Sequence, residues 1–258
     1  MATGGSQYSD RWGVGDREIR VFESGEEVSQ AAAELFVSEA NRCHLANGRF
    51  VVALSGGSTP LAMFRLLANE YRDSVPWKHV NIFWVDERFV PLDDPESNYG
   101  NAKHTLLDKV PIADETVYPV PVHLDTAGDA AFAYEMMIRA FFEGGFPTFD
   151  LMYLGMGDDG HTASLFPDSA GLDETAKLVI ATESPSGPRE RVTLTLPVIN
   201  ASARIAVVVK GTSKREKLRA TLGTRTGSNA APMSLVRPDG STWFVDRDAL
   251  GPHDPVSV

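Results

Sequence analysis

The sequence predicts an α/β protein built on a mostly parallel sheet, and three observations carry that prediction. Short apolar runs, such as Phe50-Val-Val-Ala-Leu54 and Ala203-Arg-Ile-Ala-Val-Val-Val209, have the continuous hydrophobicity of strands buried on both faces. Between such runs lie stretches whose apolar residues recur at three- and four-residue steps, the stripe of helices that pack back onto a sheet. Segments rich in glycine, hydroxyls or charge follow the strand ends directly, where open α/β sheets gather their ligands.

Taken in order, residues 1–15 are polar and Gly/Ser-rich and read as a flexible tail, followed by one domain over residues 16–258. Arg17-Glu-Ile-Arg-Val-Phe-Glu23 reads as a first strand, and Val28, Ala31, Ala32, Leu35, Phe36, Ala40 and Cys43 as the inward stripe of a helix ending before Asn47-Gly48. The buried strand Phe50–Leu54 runs into Ser55-Gly-Gly-Ser-Thr-Pro60, where Thr59 suits a helix N-cap and Pro60 the first helical position. His79-Val-Asn-Ile-Phe-Trp-Val85 is a third strand, ending in Asp86-Glu-Arg88, and Ser97 or Asn98 can cap a helix running through Leu106 and Leu107. Thr116–Val120 is a weaker strand, and Ala130, Ala133, Tyr134, Met137, Ile138 and Phe141 trace a second helical stripe of core residues. The apolar start of Asp150-Leu-Met-Tyr-Leu-Gly155 is the central strand. Later strands are expected at Lys177–Ala181, Arg191–Leu196 with one more polar face, Ala203–Val209 before a helix opened by Lys210-Gly-Thr-Ser-Lys214, and Thr242–Asp246.

Composition narrows the function. Acidic residues exceed basic ones, 35 to 24, for a formal charge of -11, so the overall field repels nucleic acid and anionic lipid, and neither is an expected partner. An anionic substrate then needs a local cluster of basic residues. The single cysteine, Cys43, excludes an intrachain disulfide and fits a packing role in a reducing compartment. No signal-peptide core and no membrane-length apolar run is visible, so a cytoplasmic protein is expected.

The chemistry concentrates in Gly155-Met-Gly-Asp-Asp-Gly-His-Thr-Ala-Ser-Leu-Phe-Pro167. Glycines let the chain turn sharply at a strand end and deliver Asp159 and His161, an acid/base pair in which the carboxylate can orient the imidazole. Read as structure alone, the same residues make a turn whose polar groups bond one another. Gly155, Gly157 and Gly160 also satisfy G-x-G-x-x-G, but Asp158 and Asp159 would repel a pyrophosphate and Pro167 comes too soon for the long helix such a site uses, so a dinucleotide is excluded. The Gly56, Gly57, Ser58, Thr59 loop is a candidate phosphate cradle at a helix N-terminus, or else an ordinary strand-to-helix turn; it lacks the Lys-Ser/Thr pair of a Walker loop. Asp86-Glu87-Arg88 can supply a carboxylate and a phosphate-binding guanidinium, or form a solvated ion-pair cluster.

Four stretches together resemble one family: Leu54–Pro60, Val85–Arg88 with Ser97-Asn-Tyr99, Gly155–Pro167, and Arg191-Val-Thr-Leu-Thr-Leu-Pro197 with Lys210–Lys214. The chain is similar over residues 17–250 to the 6-phosphogluconolactonase family, part of a wider group that includes glucosamine-6-phosphate deaminase. The resemblance implies a doubly wound, Rossmann-like α/β fold with helices on both faces, and hydrolysis of a sugar phosphate lactone in the oxidative pentose phosphate pathway. It implies phosphate binding by Gly56, Gly57, Ser58 and Thr59 with Arg88 and Lys214, a general base at His161 oriented by Asp159, and further substrate contacts from Asp86 and from Arg189 or Arg191. The lactone is reactive enough that neither a metal, a cofactor nor a covalent nucleophile is required, and no nucleophile elbow surrounds Ser164. In the deaminase branch a glutamate stands five residues after the histidine; here that position is Phe166, which cannot shuttle a proton. A non-catalytic sugar-phosphate sensor would have no need of His161 with Asp159, and no basic helix-turn-helix segment precedes residue 50. Monomer and homodimer both remain open.

Overall fold

The computed structural model describes residues 8, 10–14, 17–223, 231–237 and 239–251, with side chains at all of these but 11–14 and 58. Its central sheet has eight strands in the order β1-β2-β11-β10-β7-β3-β4-β6. These are β1 Asp10–Val14, β2 Arg17–Phe22, β3 Phe50–Leu54, β4 Val80–Trp84, β6 Val117–Tyr118, β7 Leu151–Gly155, β10 Ile205–Val209 and β11 Ser241–Asp246. All neighbours run parallel except β1 on β2. A second, three-stranded antiparallel sheet joins β5 Asp86–Arg88, β9 Glu190–Leu194 and β8 Val179–Glu183. The two sheets meet at Val85, whose N–H donates to Leu54 of β3 and whose carbonyl accepts from Leu194 of β9.

Strand alternation puts helices on both faces. On β4, Phe83 packs its ring on Phe141 of α4 (Ala127–Phe141), while the next residue, Trp84, turns the other way onto Tyr99 of α3 (Asn98–Thr105). The α3 face also carries α1 (Gly25–Asn47) and α2 (Ser58–Asn69), which pack on one another. Tyr153 of β7 is buried against α1, and its hydroxyl donates to the Ala32 carbonyl at 2.7 Å, so the polar tip is satisfied while the ring contributes apolar burial. Cys43 sits in this core, and burial pushes its thiol up to about 11, consistent with packing and not reactivity.

Several expectations need correction. Asp10–Val14 are not tail but an edge strand, paired in register from Asp10↔Val21 to Val14↔Arg17. Edge pairing uses backbone groups that any sequence carries, and Arg247 pins Asp10 from the start of α7 (Arg247–Leu250). The remaining tail, residues 1–7, 9 and 15, lies outside the described residues. The helix opened by Ser97 stops at Thr105, and a short α5 (Leu196–Ala201) begins where the sequence reading continues a strand. The strand Arg191–Leu196 belongs to the small sheet, and the helix after Lys210–Lys214 is α6 (Arg215–Gly223). Among the described residues, no helix is long and apolar enough to cross a membrane.

Candidate active site

The chain leaves β3 toward β4 and β6 on one side, whereas β7 continues to β10 and β11 on the other, so the paired tips of β3 and β7 form a topological switch point. A cleft of about 670 Å³ opens there, lined by the loops after β3, β7 and β10 and by Asp86, Arg88 and Asn98.

One wall is the Ser55–Pro60 turn. The sequence reading places Thr59 at the N-cap; instead α2 starts two residues earlier, with Gly57 at the cap in a left-handed conformation (φ 92°). Glycine has no side-chain oxygen to offer the first-turn N–H groups, and among the described residues no side chain caps this helix. Its dipole and free donors are therefore left to a ligand, which is what an anion cradle requires. Pro60 is accommodated inside the first turn because its missing N–H has no intrahelical partner there. Gly56, Gly57 and Thr59 line the cleft; the Ser58 side chain lies outside the described residues. Gly56 is required by close approach, since a Cβ there would fall 1.7 Å from Oδ1 of Asn98.

The second wall carries the imidazole. His161 Nδ1 lies 2.6 Å from Oδ1 of Asp159, and the same oxygen accepts the His161 backbone N–H at 3.0 Å. Burial pushes the Asp159 carboxyl up, but the His161 N–H and the histidine charge outweigh it and hold the group below the ordinary range. An ionised acceptor at Nδ1 fixes the tautomer with its proton there, leaving the Nε2 lone pair free; among the described residues Nε2 has no partner. Gly157 is the close-packed residue of this turn: a Cβ would stand 2.1 Å from His161 Nδ1. Gly157→Ala should therefore swing the ring away and lower turnover by at least about tenfold with KM little changed, checked by steady-state kinetics.

For Asp159→Asn we expect about a tenfold lower kcat, the roughly 1.4 kcal/mol between charged and neutral acceptors of one hydrogen bond. The lowered carboxyl also sets a sign for stability. Its contribution is complete above the unfolded value and disappears as pH falls through the folded one, so the variant should melt below the parent near pH 7 and with it in strong acid. Parallel thermal melts at the two pH values check this.

Two nearby residues close off other chemistries. Ser164 is buried, donates to Oδ2 of Asp86 at 2.7 Å, and is not among the residues lining the cleft. The ring of Phe166 stands 4.8 Å from the His161 ring.

The cations come from three elements. Arg88, on β5, lines the cleft and rests against the Glu96 carbonyl. Arg191 faces it across the β5/β9 register, and burial together with the Arg88 charge lowers the Arg191 guanidinium's affinity for its proton. Burial and the mutual repulsion of two adjacent guanidiniums, one with its Nε unsatisfied, are only partly offset by Asp86, Glu96 and Glu87, which favours an anion beside them. Arg189 is not brought to the site: it lies just before β9, is exposed, and donates from Nε and Nη2 to one oxygen of Glu183. Lys214 lines the cleft and pairs with Asp158 at 2.6 Å, which holds that carboxyl below its ordinary range. Asp86 lines the cleft, whereas Glu87 points inward. Fully buried, the Glu87 carboxylate accepts from the N–H groups of Arg88, Asn98 and Tyr99 and the Ser97 hydroxyl, bracing β5 against α3, and burial raises it to about 7. The sequence reading offered Asn98 only as a possible helix cap; at the start of α3 its buried amide donates to the Asp86 carbonyl, and its Oδ1 packs against Gly56.

A cleft with this charge balance and one free imidazole at the switch point of a parallel sheet defines an α/β enzyme that works on a small anionic substrate. A family model described as glucosamine-6-phosphate isomerases/6-phosphogluconolactonase matches residues 23–245. The chain is 39% identical over 246 residues to the probable 6-phosphogluconolactonase 4, chloroplastic, of Oryza sativa subsp. indica, a match covering 90% of this chain and 76% of the other. Its structure aligns with the 6-phosphogluconolactonase of Thermotoga maritima at a TM-score of 0.76 and 31% identity, over 88% of this chain and 98% of that one. A monomeric glucosamine-6-phosphate deaminase shares the fold at a TM-score of 0.77 and 20% identity, over 90% and 98% of the two chains. The chain belongs to the glucosamine-6-phosphate isomerase/6-phosphogluconolactonase family.

Proposed function

We propose that this protein hydrolyses 6-phospho-D-glucono-1,5-lactone to 6-phospho-D-gluconate, the lactonase step of the oxidative pentose phosphate pathway, with His161 as general base. The observation that carries the reading is the His161–Asp159 pair, which leaves Nε2 as the free base of a cleft whose opposite wall is an uncapped helix N-terminus. The substrate phosphate sits on the Gly56–Thr59 turn, with Arg88 and Lys214 supplying charge; Arg191 raises the local potential behind Arg88. Asp158, now on Lys214, is displaced as phosphate takes that ammonium.

Nε2 removes a proton from water as the water oxygen attacks the C1 carbonyl. Asp159 stabilises the imidazolium that results. Collapse of the tetrahedral intermediate breaks the bond from C1 to the ring oxygen, and the imidazolium returns its proton to that leaving oxygen. One histidine thus serves both steps, and the ester needs no acyl-enzyme.

Deamination of glucosamine 6-phosphate is the competing reading on this fold. Phe166 beside the imidazole argues against it, because opening an amino sugar requires a proton carrier where a phenyl ring stands. The test is acid release from freshly generated 6-phosphogluconolactone, with ammonia release from glucosamine 6-phosphate as control. Acid release without ammonia is expected; ammonia release, or neither product, overturns the reading.

A further inference from the structure

The cleft holds one lysine that makes no ion pair among the described residues. Lys210, which follows β10, lines the cleft, and its Nζ donates to the Ser29 hydroxyl of α1 at 3.0 Å. That hydroxyl spends its own proton on the Gly25 carbonyl at 2.8 Å, so it can only accept from the lysine. An ammonium has three donors, and one is used. Among the described residues, no carboxylate lies within ion-pair distance of Lys210. The three acids lining the cleft are committed elsewhere: Asp86 to Ser164, Asp158 to Lys214 and Ser213, Asp159 to His161. Asp246, on the neighbouring strand, spends its oxygens on the N–H groups of Gly211 and Ala249, and its charge reaches Lys210 only from beyond ion-pair distance, too weakly to offset burial.

The position of Lys210 also fits a ligand contact. Val208 is level with Gly155 across β10 and β7, so Lys210 stands level with the Gly157 turn. The phosphate turn on β3 is two strands away, about 10 Å at the usual spacing, which a lysine side chain and a small ligand together span. Ser29, beneath the ammonium, shares the cleft wall with Thr59, Pro60 and Met63 of α2.

We propose that Lys210, rested on Ser29, is a further substrate-binding residue that gives an oxyanion of the bound sugar a cationic contact from the β10 side of the cleft, with Arg88 on the β5 side. The oxyanion is either the phosphate at C6 or the carboxylate that ring opening creates at C1. The inference rests on the lactonase reading for the identity of its ligand. Burial also lowers the proton affinity of the Lys210 ammonium, as expected of a charge held ready in a partly dry site.

Calorimetric titration of the full chain with 6-phosphogluconate and with inorganic phosphate tests it. Lys210→Met should weaken 6-phosphogluconate by about ten- to a hundredfold, and Lys210→Arg should restore most of the affinity. An equal loss for inorganic phosphate assigns the contact to C6, and unchanged phosphate binding assigns it to the C1 carboxylate. If the methionine variant does not fold, Lys210→Gln, which keeps a donor for Ser29 without the charge, is read by the same criteria. Unchanged affinity for 6-phosphogluconate in a folded variant overturns the proposal. Failure of the lactonase reading would look different, as a parent protein that binds 6-phosphogluconate yet releases no acid from the lactone.

Discussion

Replacing His161 by alanine is expected to lower kcat/KM for 6-phosphogluconolactone by about 10²- to 10⁴-fold, the usual contribution of one positioned general base. The loss should fall on kcat. The imidazole touches Asp159 and Phe166, not the phosphate turn, so affinity for 6-phosphogluconate should change by no more than a few-fold. Stability should also hold, because the side chain is one-third exposed and Asp159 keeps the backbone N–H of residue 161. Initial rates must be taken at a pH low enough to suppress spontaneous hydrolysis. Near-parental kcat under those conditions would remove His161 from the mechanism.

Arg88→Ala is expected to act on the other term. Loss of a charge-assisted contact to phosphate corresponds to about 1.5–3 kcal/mol, a rise in KM of roughly ten- to a hundredfold, with kcat largely preserved. The melting temperature should stay level or rise. Arg88 and Arg191 repel across the β5/β9 register, and removing the more exposed member relieves the buried one, at the loss of the polar contacts to Glu96. Binding and stability therefore move in opposite directions, as expected where charge is concentrated for a ligand. An unchanged KM would exclude Arg88 from substrate binding, and a large fall in melting temperature would make it a structural residue.

The parts of this site that are contiguous along the chain were legible in the sequence. The His161–Asp159 bond spans two residues, and the turn after β3 announces itself by an apolar run followed by glycines. The helix start was missed by two residues because Thr59-Pro60 is the stronger local signal, while the observed start serves a free N-terminus. Features that depend on register across distant strands were not legible. Arg189 and Arg191 are equivalent by composition, and only the pairing of β9 with β5, about a hundred positions earlier, sets one against Arg88 and leaves the other in solvent with Glu183. The Asp86-Glu87-Arg88 run was read as a carboxylate and guanidinium source or a solvated cluster, yet Glu87 is fully buried. Its hydrogen bonds come from the N–H of Arg88 beside it and, ten to twelve residues on, from Ser97, Asn98 and Tyr99. Lys210 carried no assigned role because its significance lies in what fails to pair with it.

The central claim is that one bound molecule spans the cleft, its phosphate on the α2 N-terminus and its C1 at the imidazole. A crystal structure of the protein with 6-phosphogluconate tests this most directly. The account predicts phosphate oxygens accepting N–H groups from the Gly56–Thr59 turn, Arg88 on the same phosphate, and a carboxylate oxygen within about 3 Å of His161 Nε2. A phosphate held elsewhere, or a C1 carboxylate turned away from His161, would contradict it.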